Sequence, residues 1–359
     1  MQARSDFEEV AKQEPQNAFA WASLAETYGE LNQPKSAAEA AAKAEKFGSD
    51  NPIVSHALAM YFTKTGEFRH AGELEEKFAA SGRADAGAEL RVANLFLEGG
   101  DVPDALAAAQ KEAAEHPSTE AEDVLGRALL ASGRMSEGET HLSNAWQGAQ
   151  NDPRLAFDYA QALLRQEKFV RAGEVLTTAL QSSPDDAQLV LAIGVTRYGQ
   201  RRFEDAISAF LKVIHIDPEV QQPYVFLGKM LDQAGDHLPE ISEACQRWAD
   251  KNPKSAVALL TLAKARLAGD SKDATAEGLL RRSLGIDDKN WEAHYELGVL
   301  LEGKRDWAGA AAEFKRSAEL DAKQPMPHYH LARVYDRLGN GEGAKAEREL
   351  HEKLTSGPK

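Results

Sequence analysis

The stretch "WEAHYELGVLLEGKRDWAGAAAEFKRSAELDAKQP", from Trp291 to Pro325, decides the fold. It holds two segments whose apolar residues recur at i, i+3, i+4 and i+7, as on one face of a helix, with a polar break between them. Gly298 and Ala310 stand on these apolar faces, where larger side chains normally pack. Small residues there predict that two helix axes approach closely, because added bulk would overpack the contact. The proline at the end cannot continue a helix and therefore closes the pair.

The same outline recurs along almost the whole chain. A small residue returns every 33 to 35 positions. These positions are Ala25, Ala59, Ala93, Gly126, Ala160, Gly194, Gly228, Ala263, Gly298 and Ala332. In most repeats a second small residue follows about twelve positions later, and a proline often closes the unit. A length of 359 residues alone would suggest two or three domains, but a fixed period of this size predicts a repeat array instead.

The recurring outline resembles the tetratricopeptide repeat (TPR) family, whose unit has the pattern W-x2-L-G-x2-Y…A-x3-F…P. "WASLAETY" (Trp21–Tyr28) is similar to the first half of that pattern, and "FEDAISAFLKVIHIDP" (Phe203–Pro218) to the second. The resemblance implies an all-α fold. It implies a right-handed superhelical solenoid of about ten helix–turn–helix units, with about 21 helices.

The domain organisation follows from the repeat frame. Residues 1–15 are predicted to form a half repeat of the second-helix type, 16–354 a single continuous solenoid, and 355–359 a C-terminal tail. The half repeat leaves two interpretations open: native sequence upstream of Met1, with a leader or an anchor, or a cap. The seventh unit has Glu240 at its second small position, so its second helix, near 238–250, is expected to start differently. The eighth unit has a longer polar turn around residues 270–273.

Composition excludes several classes of function. The chain is 43% hydrophobic, enough to fold, and carries a net charge of −15 without a basic stripe. Such a chain repels phosphate backbones, so no nucleic-acid partner is expected. No apolar run approaches the roughly 20 residues of a membrane span, so direct membrane insertion is not expected. The single cysteine, Cys245, permits no intrachain disulfide and no CxxC motif, and the compartment stays open.

No motif for catalysis, cofactor binding or metal binding is present. "GNGEGAK" (Gly339–Lys345) lacks the GxxxxGK[ST] spacing of a phosphate-binding loop and is interpreted as the turn between the last two helices. His328 and His330 are two residues apart and point away from each other on a helix. His294 lies one repeat before His328, which predicts neighbouring surface histidines rather than a metal site. We therefore predict no enzyme, no cofactor and no metal.

The family resemblance implies a binding surface. In TPR arrays the first helix of each unit lines a concave face, and five positions of the unit point into the groove. The candidate binding residues at these positions are Asn94, Arg127, Phe157, Gln161, Leu191, Tyr198, Val225, Lys229, Asp232, Lys264, Tyr295, Tyr329, Arg333, Asp336 and Arg337. Tyrosine and arginine are frequent in interface hot spots. For Tyr295 and Tyr329 two interpretations stay open, because the rings either bind a ligand or stack on each other.

The predicted function is that of a non-enzymatic scaffold that binds a peptide or protein segment in the groove. The carboxylate clamp by which some TPR proteins hold the acidic tails of heat-shock chaperones is absent. Asn94 fits it, but Leu90 stands where the clamp needs lysine, so a chaperone tail is not the expected partner. Two alternatives remain. One is a regulatory or substrate-recruiting module of a longer polypeptide, either an enzyme or a membrane-anchored assembly factor. The other is a scaffold that self-associates end to end.

Overall fold

A computed structural model describes residues 2–48, 50–83, 85 and 87–356. Within these residues the chain forms 21 α-helices joined by short turns, with no strand. The all-α prediction and the predicted number of helices are therefore confirmed. The chain divides into two compact units, Met1–Pro184 and Asp185–Lys359, and each is described by itself. The single continuous solenoid over 16–354 stays a prediction, and most of the predicted tail lies outside the described residues.

The first unit consists of helices eleven to fifteen residues long, or about three to four turns each. They are α1 (Gln2–Gln13), α2 (Ala18–Glu30), α3 (Pro34–Gly48), α4 (Pro52–Thr65), α5 (Phe68–Ala79), α6 (Ala88–Glu98), α7 (Val102–Glu115), α8 (Thr119–Ala131), α9 (Met135–Gly148), α10 (Pro153–Arg165) and α11 (Phe169–Ser182). The helix predicted for the N-terminal half repeat is α1.

The second unit continues the same alternation. Its helices are α12 (Ala187–Gly199), α13 (Phe203–Ile216), α14 (Gln222–Lys229), α15 (Leu238–Lys251), α16 (Ala256–Gly269), α17 (Ala276–Ile286), α18 (Trp291–Gly303), α19 (Trp307–Leu320), α20 (Pro325–Arg337) and α21 (Gly341–Thr355). The even-numbered helices are called A helices below, and the odd-numbered helices B helices.

Helix packing follows the repeat. Each A helix packs against the B helix that follows it, as in α2 with α3 and α18 with α19. Successive A helices also touch, for example α6 with α8 and α8 with α10 in the first unit, and α18 with α20 in the second. A single helix pair cannot bury its own apolar face, so stacking of the pairs creates the core. The A helices thereby lie side by side within each unit, and each unit is a helical-repeat solenoid.

In several repeats the small residue of the A helix lies at a close contact with the B helix that follows it. A Cβ atom added to Gly298 would lie 2.7 Å from the ring of Phe314, and one added to Gly126 would lie 2.6 Å from Leu142 Cγ. Ala310 and Phe314 are fully buried beside this contact. The predicted role of Gly298 is confirmed, because the Phe314 ring leaves no room for a larger side chain there.

The seventh repeat departs from the regular geometry, as expected from its sequence. Its A helix, α14, has only eight residues and is followed by two 3₁₀ turns, Leu231–Gln233 and Gly235–His237. Gly235 adopts a left-handed conformation with φ of 49°. The B helix begins at Leu238 with a proline in its first turn, close to the predicted start. The eighth repeat has the longer turn predicted around 270–273, in which side-chain oxygens of Asp270 and Asp273 accept backbone hydrogen bonds.

One residue in most A–B turns takes a left-handed conformation, which the sequence analysis did not predict. The residues with φ between 55° and 84° in these turns are Asn32, Gly66, Gly100, Gly133, Glu167, Arg201, Arg305 and Gly339. Four of them are not glycine, although this conformation costs other residues about 1–2 kcal/mol. Helix packing therefore imposes the turn geometry on the sequence. The predicted "GNGEGAK" turn is shorter than expected, because Gly341 already begins α21 and Asn340 caps it through the Gly343 N–H.

Gly298→Ala is expected to lower the free energy of unfolding by about 1 kcal/mol. Overpacking against Phe314 costs about 1–3 kcal/mol, and the higher helix propensity of alanine returns about 1 kcal/mol. Gly278→Ala in α17 is the matched control, since a Cβ atom there meets nothing within 4 Å, and it is expected to be stabilising. Urea unfolding followed by circular dichroism measures both. Equal effects of the two substitutions would contradict the close contact.

The Cys245 thiol is expected to resist alkylation in the native protein. It is fully buried on α15, and burial raises its pKa to about 12. The reactive thiolate is therefore scarce and out of reach of the reagent. Mass spectrometry after iodoacetamide treatment at about pH 8 should show an unmodified native chain, and one adduct per chain in urea. Stoichiometric labelling of the native protein within minutes would show that α15 opens readily.

Candidate binding site on the A helices

The predicted binding residues lie on A helices, apart from Asp232, which lies in the 3₁₀ turn after α14. Those of the first unit are Asn94 (α6), Arg127 (α8), and Phe157 and Gln161 (α10). Those of the second unit are Leu191 and Tyr198 (α12), Val225 and Lys229 (α14), Asp232, Lys264 (α16), Tyr295 (α18), and Tyr329, Arg333, Asp336 and Arg337 (α20). Each unit thus carries its own group of these side chains.

In the first unit Asn94 and Arg127 contact each other. The Arg127 guanidinium donates a hydrogen bond to Asn94 Oδ1, and Asn94 Nδ2 donates to the Leu90 carbonyl at 2.9 Å. Arg127 Nε also lies 3.3 Å from the Asp123 carboxylate. Asn94 therefore has both ends of its amide engaged, and it positions Arg127 on the face of α8.

A cluster of charges adjoins Arg127 on α8 and α10. The Asp123 side chain is 2% exposed and accepts a hydrogen bond from Arg154, which lies 3.6 Å from Asp158. Burial, followed by repulsion from Asp123, raises the pKa of Asp158 to about 6. The carboxylates of Asp123 and Asp158 thus share the guanidiniums of Arg127 and Arg154 in a poorly hydrated part of the surface. Phe157 and Gln161 lie half-buried on the same helix.

A cavity of about 380 Å³ opens between α4 and α6. Met60 and Leu95 contribute apolar surface to it, and Met60 is 44% exposed. The polar groups around it are engaged with other protein groups. His56 Nδ1 lies 2.7 Å from Glu75, Arg91 Nε donates to Glu75 at 2.7 Å, and Lys64 donates to Glu26 at 2.9 Å. The cavity therefore offers a ligand mainly apolar contacts.

This cavity was not predicted from the sequence, although a signal for it was present. Met60 directly follows the small residue Ala59, just as Asn94 follows Ala93 and Arg127 follows Gly126. Applying the same repeat position to the second repeat would have found Met60. Leu95 has no such signal, because its exposure depends on how α4 and α6 pack.

In the second unit Lys229, Asp232 and Lys264 line one cavity of about 410 Å³, together with Glu292 and Glu296. Lys264 Nζ donates to Glu292. Burial raises the pKa of Glu296, although Lys264 opposes the shift. The sequence-predicted residues are thus brought together here, in a wall of mixed charge.

An aromatic group lies at the start of the second unit. The Tyr198 ring packs edge-on against Phe226 with ring centroids 5.5 Å apart, and Lys229 Nζ lies 5.8 Å from the centroid of Phe226. Leu191 on α12 and Val225 on α14 are half-buried. This part of the face is therefore mainly apolar.

The last two A helices enclose a cavity of about 550 Å³ that contains Arg333, Asp336 and Arg337. Trp307, the first residue of α19, forms part of its wall, and the Arg337 guanidinium lies 5.9 Å from the Trp307 ring centroid. Arg333 lies 5.6 Å from the Tyr329 ring and 3.4 Å from a Glu302 oxygen. Two arginines over two aromatic rings therefore face one space.

Tyr295 and Tyr329 both pack against His330, which the sequence analysis did not select. The ring centroids of Tyr295 and Tyr329 lie 5.6 and 5.3 Å from that of His330, each in an edge-on arrangement. His330 Nδ1 lies 2.6 Å from Glu302, and its Nε2 lies 3.4 Å from the Tyr295 hydroxyl. Burial, followed by the charge of Glu296, raises the pKa of Tyr295 to about 12. Tyr295 is thus part of the packing, and Tyr329, 41% exposed, remains accessible.

His294 and His328 each pair with a glutamate of their own repeat. His294 Nδ1 lies 2.6 Å from Glu313, and His328 Nδ1 lies 2.6 Å from Glu347. Each pair links an A helix to its B helix. In the part of the chain that the structure describes, no group of three His, Cys, Asp or Glu side chains could hold a metal ion. No helix among those same residues is long and apolar enough to cross a bilayer.

Comparison with known proteins defines the family. Family models described as tetratricopeptide repeat match residues 129–193, 191–256 and 261–325, which together exceed half of the chain. The chain belongs to the tetratricopeptide repeat family. Repeats of this family indicate a protein-interaction scaffold, so the partners are proteins.

Solved structures agree with this fold. A tetratricopeptide repeat protein from Parabacteroides merdae ATCC 43184 is 13% identical with a TM-score of 0.52, over 69% of this chain and 98% of that one. The APC/C hetero-tetramer Cut9–Hcn1 is 14% identical with a TM-score of 0.51, over 99% of this chain and 90% of that one. At these identities the likeness concerns the fold alone.

A curated relative is similar to part of the chain. It is the probable UDP-N-acetylglucosamine–peptide N-acetylglucosaminyltransferase SPINDLY from Hordeum vulgare, 25% identical over 171 residues. The match covers 45% of this chain and 18% of that protein. The chain therefore spans less than a fifth of the length of this relative.

The charge cluster of the first unit makes stability depend on pH. The folded state holds the Asp158 proton more tightly than the unfolded chain, where the pKa is near 3.8. The stabilisation is therefore fully present below about pH 4 and is lost as the pH rises through about 6. Relative to Asp158→Asn, the wild type is expected to lose on the order of 1–2 kcal/mol of unfolding free energy between these limits.

Urea unfolding of both proteins at about pH 4 and pH 7 measures this difference. Asp104→Asn, at an exposed carboxylate on α7 of the same unit, controls for the general effect of removing one negative charge. A wild-type-minus-Asp158→Asn difference that stays constant over this range would contradict the shifted pKa.

Proposed function

We propose that the chain is a non-enzymatic scaffold whose A helices bind an extended peptide or a single helix of a partner protein. The observation that carries this proposal is the position of the cavities. Met60 and Asn94 adjoin one cavity, Lys229 and Lys264 another, and Arg333 a third, and each of them directly follows the small residue of its repeat. Equivalent positions of successive repeats thus create depressions on the A-helix face of each unit.

The open shape of the cavities suits the side chains of a segment that lies across them. Each of the three cavities has a few hundred Å³, is open to solvent and is bounded by neighbouring A helices. A segment that runs across several repeats would place a few side chains in such depressions and use them as anchors. The first unit offers an apolar cavity and the second offers charged ones. The preferred partner segment therefore combines apolar and charged side chains.

A second candidate function is a recruiting module within a longer enzyme. The similarity to part of SPINDLY favours it, because that protein is named as a probable peptide N-acetylglucosaminyltransferase. In this case the A helices would bind the protein substrate, and residues outside this chain would carry out the transfer. The full open reading frame tests this function. A complete coding sequence without a transferase domain, and without UDP-N-acetylglucosamine turnover by its product, would exclude it.

Substitutions on the A helices are expected to reduce partner capture from lysate of the source organism, with the captured partners quantified by mass spectrometry. Met60→Asp places a charge in the apolar cavity of the first unit, and Tyr329→Ala removes an accessible ring from the second. At least one of them should reduce capture about tenfold, the size typical of a hot-spot residue.

Val170→Asp is the matched control, because Val170 is 69% exposed on the B helix α11. It should leave capture unchanged. Thermal unfolding monitors the fold of every variant. If Val170→Asp abolishes capture while Met60→Asp and Tyr329→Ala still capture the partner, the binding surface lies on the B helices. That result would contradict the proposal.

A further inference from the structure

We propose that the cavity between α18 and α20 binds one carboxylate side chain of the partner segment, between Arg333 and Arg337 and beside Trp307. This inference rests on the proposed function and specifies the chemistry of the partner at that end of the second unit. The three residues line the same cavity, of about 550 Å³.

Arg337 is the first contributor. Its guanidinium lies over the Trp307 ring, with 5.9 Å from Cζ to the ring centroid. Among the residues that the structure describes, no carboxylate lies within ion-pair distance of it. A guanidinium that lies over an aromatic ring keeps the N–H groups at its edge available, and their fork geometry matches the two oxygens of a carboxylate. Arg337 is therefore a positioned hydrogen-bond donor without a carboxylate acceptor among these residues.

Arg333 is the second contributor, and it is only partly engaged. Its side chain is 55% exposed, and its ion pair is a 3.4 Å contact with one oxygen of Glu302. The other oxygen of Glu302 lies 2.6 Å from His330 Nδ1. Because Glu302 is shared with the histidine, Arg333 retains N–H groups for a second acceptor. Its position over the Tyr329 ring holds it toward the same space.

The charge balance of the cavity indicates a single negative charge in the ligand. Arg333 and Arg337 face the carboxylates of Glu302 and Asp336, and Asp336 is paired with Arg348 from α21. With Arg348 included, this group has one more positive than negative charge, in a chain whose net charge is −15. One carboxylate neutralises that excess. A phosphate dianion would leave a surplus negative charge next to two carboxylates.

The remaining wall suits the aliphatic part of an acidic side chain. Val299 and Trp307 contribute apolar surface, and Gly303 adds no side chain to the lining. The methylene groups of a glutamate would contact this wall while its carboxylate reaches the guanidiniums. The arrangement differs from the lysine and asparagine clamp sought in the sequence, because both cations come from one helix and an indole supports one of them.

A random peptide display library, selected on the full chain, tests the inference. Selected peptides are expected to contain a glutamate or aspartate whose replacement by the corresponding amide weakens binding about tenfold, as for a charge-assisted hydrogen bond. Arg337→Gln should weaken binding of the acidic peptide similarly, and the two losses should not add, because both remove the same contact. Arg282→Gln, an exposed arginine on the B helix α17, is the charge-matched control and should have no effect.

Three outcomes would overturn the inference, and each points to a different cause. Selected peptides that bind without an acidic residue would contradict the carboxylate site but not the proposed function. The same holds if the affinity losses from the amide replacement and from Arg337→Gln add. A phosphoserine version of a selected peptide that binds more tightly through Arg337 than the glutamate version contradicts the single-charge argument. No enrichment of any peptide on the folded wild type would contradict the proposed peptide-binding function itself.

Discussion

The close contact between a small residue of an A helix and a large side chain of its B helix, as at Gly126, Gly194 and Gly298, is the constraint on which the rest of the structure depends. Where Gly298 faces Phe314, the backbone of α18 comes as near to α19 as the ring allows. This closeness sets the tilt of each pair and leaves the outer edge of the A helix free to touch the next A helix. Once every pair has the same geometry, stacking follows, because each added pair covers the apolar side of the one before it.

That geometry also explains what the A-helix face presents to a partner. Most polar groups around the cavities have partners within the chain: His56 and Arg91 share Glu75, and Lys264 pairs with Glu292. Such pairs fix the shape of the face before any ligand arrives, so binding would order few side chains. A partner would therefore be recognised mainly by groups that are not paired within the chain, such as Met60 in the first unit and Arg337 in the second.

The sequence predicted the helices and their alternation well, because a period near 34 residues with small residues at fixed places admits few other structures. It placed the candidate residues on A helices for the same reason, since a residue's position in the repeat determines its side of the helix. It failed where side chains of different helices decide the outcome. It assigned His330 no contact, yet His330 packs against Tyr295 and Tyr329 and pairs with Glu302. Nothing local to "HYHLARVYD" reveals the position of Glu302.

The left-handed turn residues indicate which parts of such a chain tolerate changes of sequence during evolution. Glycine, asparagine, glutamate and arginine all occupy this conformation between an A helix and its B helix, so the hairpin closes whichever of them is present. The conformation of the turn is thus determined by the flanking helices and not by the amino-acid sequence of the turn itself. Turns of this kind tolerate substitutions, inserted residues or a grafted loop, and each change lowers the free energy of unfolding by only about 1–2 kcal/mol. The array can therefore acquire new features at its turns while its helix pairs keep their geometry.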